Sequence, residues 1–148
     1  MELILWRHAE AEEGTPDHSR ALTEKGIKQA AKIAAFLHQH LPRDTRILVS
    51  PATRTQQTVA AFTDHFTLAP TISPGASAEA VLRAARWPDA GGTVLIVGHQ
   101  PTLGEVAASL LGCDGSSFSI KKGALWWFSK RDGSSQAGLR LVISPDFL

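Results

Sequence analysis

Three times in this chain a run of apolar residues stops directly at polar side chains. Leu3-Ile4-Leu5-Trp6 breaks into Arg7-His8, Arg46-Ile47-Leu48-Val49 meets Ser50-Pro51, and Thr93-Val94-Leu95-Ile96-Val97 ends at Gly98-His99-Gln100-Pro101. Continuous rather than alternating hydrophobicity marks strands covered on both faces, as in a parallel sheet flanked by helices. Ligands of such sheets sit beyond the carboxyl ends of the strands, where these junctions would project. A strand end carrying Arg7 and His8 is costly to bury unless a partner satisfies both, and a phosphate would do so; taken alone, the dipeptide reads more readily as surface residues at a loop entry.

The intervening segments read as helices and connections. From Thr23, placed as N-cap, Ile27, Ala30, Ala31, Ala34, Leu37 and Leu41 recur at three- and four-residue steps. Gly26 in the first turn costs helix propensity and suggests a close backbone approach there. Ser50-Pro51 is placed as N-cap and first helical residue of a second helix, which puts Arg54 near its positive end and Thr58 one turn on along the same face. Arg54 reads either as a solvated helix arginine or as a cation beside an anion site. Ser77 caps a short helix that stops before Trp87-Pro88, and Thr102-Leu103-Gly104-Glu105 has the spacing of a capping box opening a helix that ends at Gly112. Residues 68 to 77 read as a connection. The acidic loop Ala9 to Ala21 reads as a mobile flap. Phe118 to Phe128 and Leu139 to Ile143, joined by a turn-rich link, read as an antiparallel hairpin in which Trp126 and Trp127 face opposite sides. The expected architecture is a three-layer α/β sandwich: a largely parallel central sheet, helices on both faces and an antiparallel C-terminal hairpin at one edge.

Length and charge narrow the partners. With 148 residues, a single domain spanning 1–148 can bury a full core without disulfides or metals. The net charge of +1 has no block of like charge behind it, so neither nucleic acid nor a membrane surface is expected as a partner. Cys113 is the only cysteine, which excludes an internal disulfide and argues for a reducing, cytoplasmic setting. It reads as a small residue at a helix end.

If the three junctions share one sheet edge, Arg7, His8, Arg54 and His99 meet there. Two guanidiniums supply the forked donors that grip phosphoryl oxygens, and two imidazoles supply a nucleophile and a further donor. A metal held by His8, Glu10 and His99 is the rival reading, disfavoured because two arginines aimed at the same place would repel a divalent cation.

In order and spacing, Arg7-His8-Ala9-Glu10, Leu22-Thr23-Glu24-Lys25-Gly26 followed by Gln29-Ala30, Ser50-Pro51 with Arg54 and Thr58, and Gly98-His99 resemble the histidine phosphatase superfamily over nearly the whole chain. The short length and the His99-Gln100-Pro101 ending are most similar to its small phosphohistidine phosphatase branch, the SixA type. The resemblance implies a phosphoglycerate mutase-like fold and a hydrolase needing no metal or cofactor. It implies His8 as a nucleophile that passes through a phosphohistidine, with Arg7, Arg54 and His99 binding the phosphoryl oxygens. Arg20 resembles a further basic position of the flap, though a loop arginine paired with Asp17 explains it equally well. The implied substrate is a phosphorylated protein, such as a histidine phosphotransfer protein. A phosphomonoesterase of small phosphate esters and a non-catalytic phosphate-binding module are the alternatives.

The chain also departs from parts of that superfamily. Relatives that cleave esters carry a carboxylate to protonate the leaving oxygen, and some place an Asp directly after the second histidine, where this chain has Gln100. Glu79 lies in roughly the region of the other acid, but a helix-start glutamate is explained by the dipole alone. The general acid stays unassigned, which favours a leaving group that needs little help, such as an imidazole.

Overall fold

In the computed structural model, which describes residues 1–148, strand β1 (Glu2–Arg7) lies inside a six-stranded sheet. The other strands are β2 (Arg46–Val49), β3 (Thr67–Leu68), β4 (Thr93–Gly98), β5 (Leu125–Ser129) and β6 (Gly138–Ile143), in the order β3-β2-β4-β1-β5-β6. The pairs β1–β4, β2–β4 and β2–β3 are parallel, while β1–β5 and β5–β6 are antiparallel. The expected mixed sheet with an antiparallel edge is present. In register, Arg7 lies opposite Gly98 and Val49 opposite Val97, so all three junctions emerge at the same end of the sheet.

Helices α1 (Glu24–His40), α2 (Thr53–Ala60), α3 (Ala78–Ala85) and α4 (Thr102–Leu110) fill the two outer layers. The continuous apolar strands make both layers possible, because successive side chains of β1 face opposite ways. Ile4 and Trp6 join a core with Ala30, Ile33 and Leu37 of α1 and Val59 of α2. Leu3 and Leu5 join a second core with Val81 of α3 and Leu103, Val106 and Ala107 of α4. Trp127 packs in the first and Trp126 against the second, the opposed placement expected of neighbours in a strand. No helix is long and apolar enough to cross a membrane.

Several local expectations shift. The buried stripe of α1 is Gly26, Ala30, Ile33, Ala34 and Leu37, whereas Ile27 and Ala31 are exposed. The cause is at its start: a Cβ on Gly26 would lie 2.0 Å from the Glu10 carbonyl oxygen, so the glycine face is the one that meets the chain. Helix α2 begins at Thr53 after Ala52 as N-cap, not at Pro51, because Ser50 is drawn to His99. The Thr102 capping box does not form. Thr102 is the first helical residue, and its hydroxyl donates to the Ala76 carbonyl at 2.6 Å. Strand β5 starts only at Leu125, since residues 118–124 bend around the end of β1: Gly123 takes a positive φ, its N–H donating to the His8 carbonyl. The connection after α2 contains the short strand β3 and a 3-10 turn at Pro70–Ile72. Thr23 and Ser77 cap α1 and α3 as expected, their hydroxyls accepting from Gly26 and Ala80.

Candidate active site

The backbone of His8 is fixed from three directions. Its N–H donates to the Gly98 carbonyl, its carbonyl accepts from Gly123, and the next N–H, of Ala9, donates to the Thr58 hydroxyl at 3.0 Å. Thr58 in turn donates to the Arg54 carbonyl one turn back at 2.7 Å, which ties α2 to the end of β1. The flap is anchored at both ends: Ala11 and Leu22 form an antiparallel bridge, and the Glu10 carbonyl accepts from the Thr23 N–H.

Four of the five expected site residues gather at this strand end, with His8, Arg54 and His99 all buried. The two imidazole centroids are 5.4 Å apart. His8 Nδ1 lies 2.7 Å from the Ala9 carbonyl oxygen, which can only accept, so Nδ1 carries the proton and Nε2 keeps its lone pair. Burial pushes the His8 imidazole down to about 4; the Ala9 hydrogen bond opposes this, while Arg54 and Arg7 reinforce it. His99 Nε2 lies 2.7 Å from Ser50 Oγ. That oxygen accepts from the Ala52 N–H at 3.4 Å, so its own proton is free to go to Nε2, leaving Nδ1–H as a buried donor. Burial, with Arg54 next, lowers His99 to about 3.

Arg7 Nη1 donates to the Ile120 carbonyl at 2.8 Å, and burial together with Arg54 lowers its guanidinium from the ordinary value. Arg54 donates to the backbone carbonyl of Asp17 at 2.9 Å and to its carboxylate at 3.1 Å. Three buried nitrogens, Arg7 Nε, Arg54 Nε and His99 Nδ1, have no hydrogen-bond partner in the protein. Such groups are costly to bury unsatisfied, and an oxyanion bound among them would accept from all three.

Arg20 stands apart, on the flap. Its Nε donates to the Glu12 carbonyl and its Nη1 to Asp17 at 3.0 Å, the paired-loop arrangement that was one of its two readings. Asp17 thus bridges Arg20 and Arg54, which hold its carboxyl below the usual carboxylate range, Arg20 foremost. Glu10 does not join the histidines: its carboxylate accepts from the Thr23 hydroxyl at 2.8 Å, and no three His, Cys, Asp or Glu residues gather to hold a metal ion. Glu79 is exposed in the first turn of α3. Gln100 is a tie between segments, donating to Phe118 O at 2.8 Å and accepting from the Gly104 N–H at 2.7 Å. A carboxylate could not make both bonds, a physical reason for an amide at this position.

Sequence reasoning missed Ser50 as the residue that orients His99, and Asp17 as the partner of Arg54. It also missed how the lysines are placed. None forms a block along the chain, yet Lys25, Lys28, Lys32, Lys121 and Lys122 line one groove that opens at Arg7.

The model of the histidine phosphatase superfamily (branch 1) matches residues 3–77. The phosphohistidine phosphatase SixA homolog of Haemophilus influenzae is 35% identical over 128 residues, covering 76% of this chain and 78% of that protein. An uncharacterized protein of Mycobacterium tuberculosis is 32% identical over 125 residues, covering 77% and 75%. The structure of the protein histidine phosphatase SixA complexed with tungstate superimposes with a TM-score of 0.83 over 99% of both chains at 24% identity, a likeness of fold.

Proposed function

Because the chain belongs to the histidine phosphatase superfamily, we propose that it hydrolyses phosphohistidine in a protein, without a metal, through a phosphohistidine formed transiently on His8. The observation that carries this reading is the fixed tautomer of His8. A carbonyl acceptor at Nδ1 leaves the Nε2 lone pair available, and burial among cations keeps the ring unprotonated at neutral pH. No separate base is then needed to activate the nucleophile.

In the first step the Nε2 lone pair attacks phosphorus in line. The Nε2–P bond forms while the bond to the leaving nitrogen breaks, its electron pair departing with the substrate ring, which leaves as neutral imidazole because its other ring nitrogen already carries a proton. In the second step a water oxygen attacks the same phosphorus, the P–Nε2 bond breaks with its electrons returning to Nε2, and the water proton leaves with the phosphate. Arg7, Arg54 and the Nδ1–H of His99 supply donors to the equatorial oxygens in both steps, the charge stabilisation on which phosphoryl transfer mainly depends. Gln100, engaged at both ends of its amide, offers no proton to a leaving oxygen. A phosphohistidine ring protonated on its other nitrogen leaves as neutral imidazole, whose conjugate acid has a pKa near 6.5, without such help, whereas an alkoxide does not.

The test compares a phosphohistidine peptide, a phosphoserine peptide and p-nitrophenyl phosphate, each with and without chelator. The phosphohistidine peptide and the aryl ester should be cleaved with chelator present, and the phosphoserine peptide far more slowly. Comparable cleavage of phosphoserine would move the assignment to small phosphomonoesters. Loss of activity with chelator would sink the metal-free mechanism, and phosphate binding without turnover would make the chain a binding module.

A further inference from the structure

Five of the six lysines in this chain line one groove of about 650 Å³. Lys25, Lys28 and Lys32 stand on α1 at steps of three and four, so they share a face. Lys121 and Lys122 come from the bend before β5, and the C-terminal turn around Pro145 closes the third side. None of these lysines makes an ion pair or a side-chain hydrogen bond within the chain. Like charges one turn apart on a helix are destabilising, so the cluster adds nothing to the fold. Two carboxylates line the groove, Glu10 and Asp146. The first is bonded to Thr23 and the second to the Ser144 hydroxyl. Six cations therefore stand against two carboxylates in a molecule whose net charge is +1.

The groove's sixth cation is Arg7, whose backbone continues into His8. Building on the reading of His8 as nucleophile toward a protein phosphohistidine, we infer that this groove docks an acidic segment of the phosphorylated partner, beside the phosphohistidine that enters the site. The lining favours this occupant. Lysines are flexible point charges suited to a row of carboxylates whose geometry varies, and clustered charge speeds encounter with a complementary partner. The groove presents no aromatic side chain on which bases could stack, and only one apolar residue, Ile120. Its lysines occupy two walls of a concavity rather than the flat face a bilayer would meet.

The test uses the whole protein and fluorescein-labelled twelve-residue peptides, one rich in Asp and Glu and one with Asn and Gln in their place, both without phosphate. Fluorescence anisotropy at low ionic strength should show the acidic peptide binding at least tenfold tighter than its amide twin, with affinity falling as salt is added. The triple variant K28E/K32E/K121E should lose that preference, while its kcat for p-nitrophenyl phosphate, read at saturating substrate and high salt, stays within about twofold of wild type, since salt screens the long-range effect of these charges on the site. The variant R43E/R83E/R131E makes the same change of charge at exposed positions elsewhere and should keep the preference. Equal loss in both variants, or tighter binding of a single-stranded oligonucleotide, would overturn the proposal. Phosphorylating a histidine in each peptide separates the two readings. Acidic binding without phosphohistidine hydrolysis removes the proposed substrate and leaves the docking groove standing; hydrolysis indifferent to flanking acid and to the lysines removes the groove and leaves the substrate.

Discussion

The carboxylate of Asp17 accepts from Arg54 at 3.1 Å and from Arg20 at 3.0 Å, so a flap residue occupies donors of an arginine proposed to hold phosphate. Asp17 is 57% exposed at its side chain while Arg54 is 6%, so the carboxylate can swing into solvent and the guanidinium cannot follow. If Arg54 holds phosphate as proposed, Asp17 competes with the incoming oxyanion. Asp17→Asn should tighten phosphate and vanadate binding several-fold, in keeping with the roughly 1 kcal/mol of a partly exposed ion pair. Inhibition of p-nitrophenyl phosphate hydrolysis measures it, and weaker inhibition would mean that Asp17 holds Arg54 in its working position instead.

His8→Ala should lower turnover by several orders of magnitude and leave phosphate binding largely intact, because Arg7, Arg54 and His99 remain. Rapid quenching of the wild-type enzyme with a radiolabelled substrate should trap acid-labile, base-stable label on the protein, and the variant should trap none. Turnover near wild type in His8→Ala would eliminate the covalent route.

Acid should act through both histidines. His8 and His99 titrate at about 4 and about 3 in the folded chain and near 6.5 when unfolded, so between those values the unfolded chain binds more protons. Stability conferred by keeping these rings neutral is complete above pH 6.5 and falls by roughly 1.4 kcal/mol per pH unit per histidine toward pH 4. Chemical denaturation across that range measures the slope. If His8 is the nucleophile as proposed, the acid limb of kcat/KM should likewise lie well below 6.5, since protonation removes its lone pair; a limb at 6.5 would mean that His8 is solvated as in a free peptide.

Gly26→Ala should destabilise the chain by about 2 kcal/mol or more despite a gain in helix propensity of about 1 kcal/mol, because the new methyl would lie 2.0 Å from the Glu10 carbonyl oxygen. Thermal unfolding reads the loss. A higher melting temperature would show that the flap base yields freely.

Gln100→Glu should also lower the melting temperature by several degrees, since Phe118 O loses its donor and a buried acceptor is left unmet at about 1–3 kcal/mol. The rate should still depend steeply on leaving-group pKa across aryl phosphates. A shallow dependence in the unmodified enzyme would reveal a general acid elsewhere.

Much of this was readable in the chain because the signals were local. Continuous apolar runs announced the parallel strands, buried in β4 and most of β1 though only half-buried over Arg46, Ile47 and Leu48 of β2, and their abrupt ends located Arg7, His8 and His99. Thr23 and Ser77 acted as the caps their positions suggested. The failures share a cause, that a distant group outcompeted the local one. Ser50 left its helix for His99, and Thr102 turned to Ala76 rather than closing a box with Glu105. The rotation of α1 came from Glu10, sixteen residues before Gly26, and periodicity within the helix carries no trace of such a contact. The lysine groove was invisible for a similar reason: Lys32 and Lys121 lie far apart in sequence, and only the fold makes them neighbours.

The three-sided hold on His8 has a consequence for how activity arises during folding. Its N–H needs Gly98, its carbonyl needs Gly123, and the following amide needs Thr58, partners from 49 to 115 residues away. Closing loops of that length comes late, after the local helices have formed. A nascent or partly unfolded chain can therefore carry Arg7, His8 and Arg54 without holding the proposed nucleophile in place. Recovery of phosphatase activity on refolding should follow the last structural phase, with no earlier burst, so that catalysis serves as a reporter of complete long-range closure.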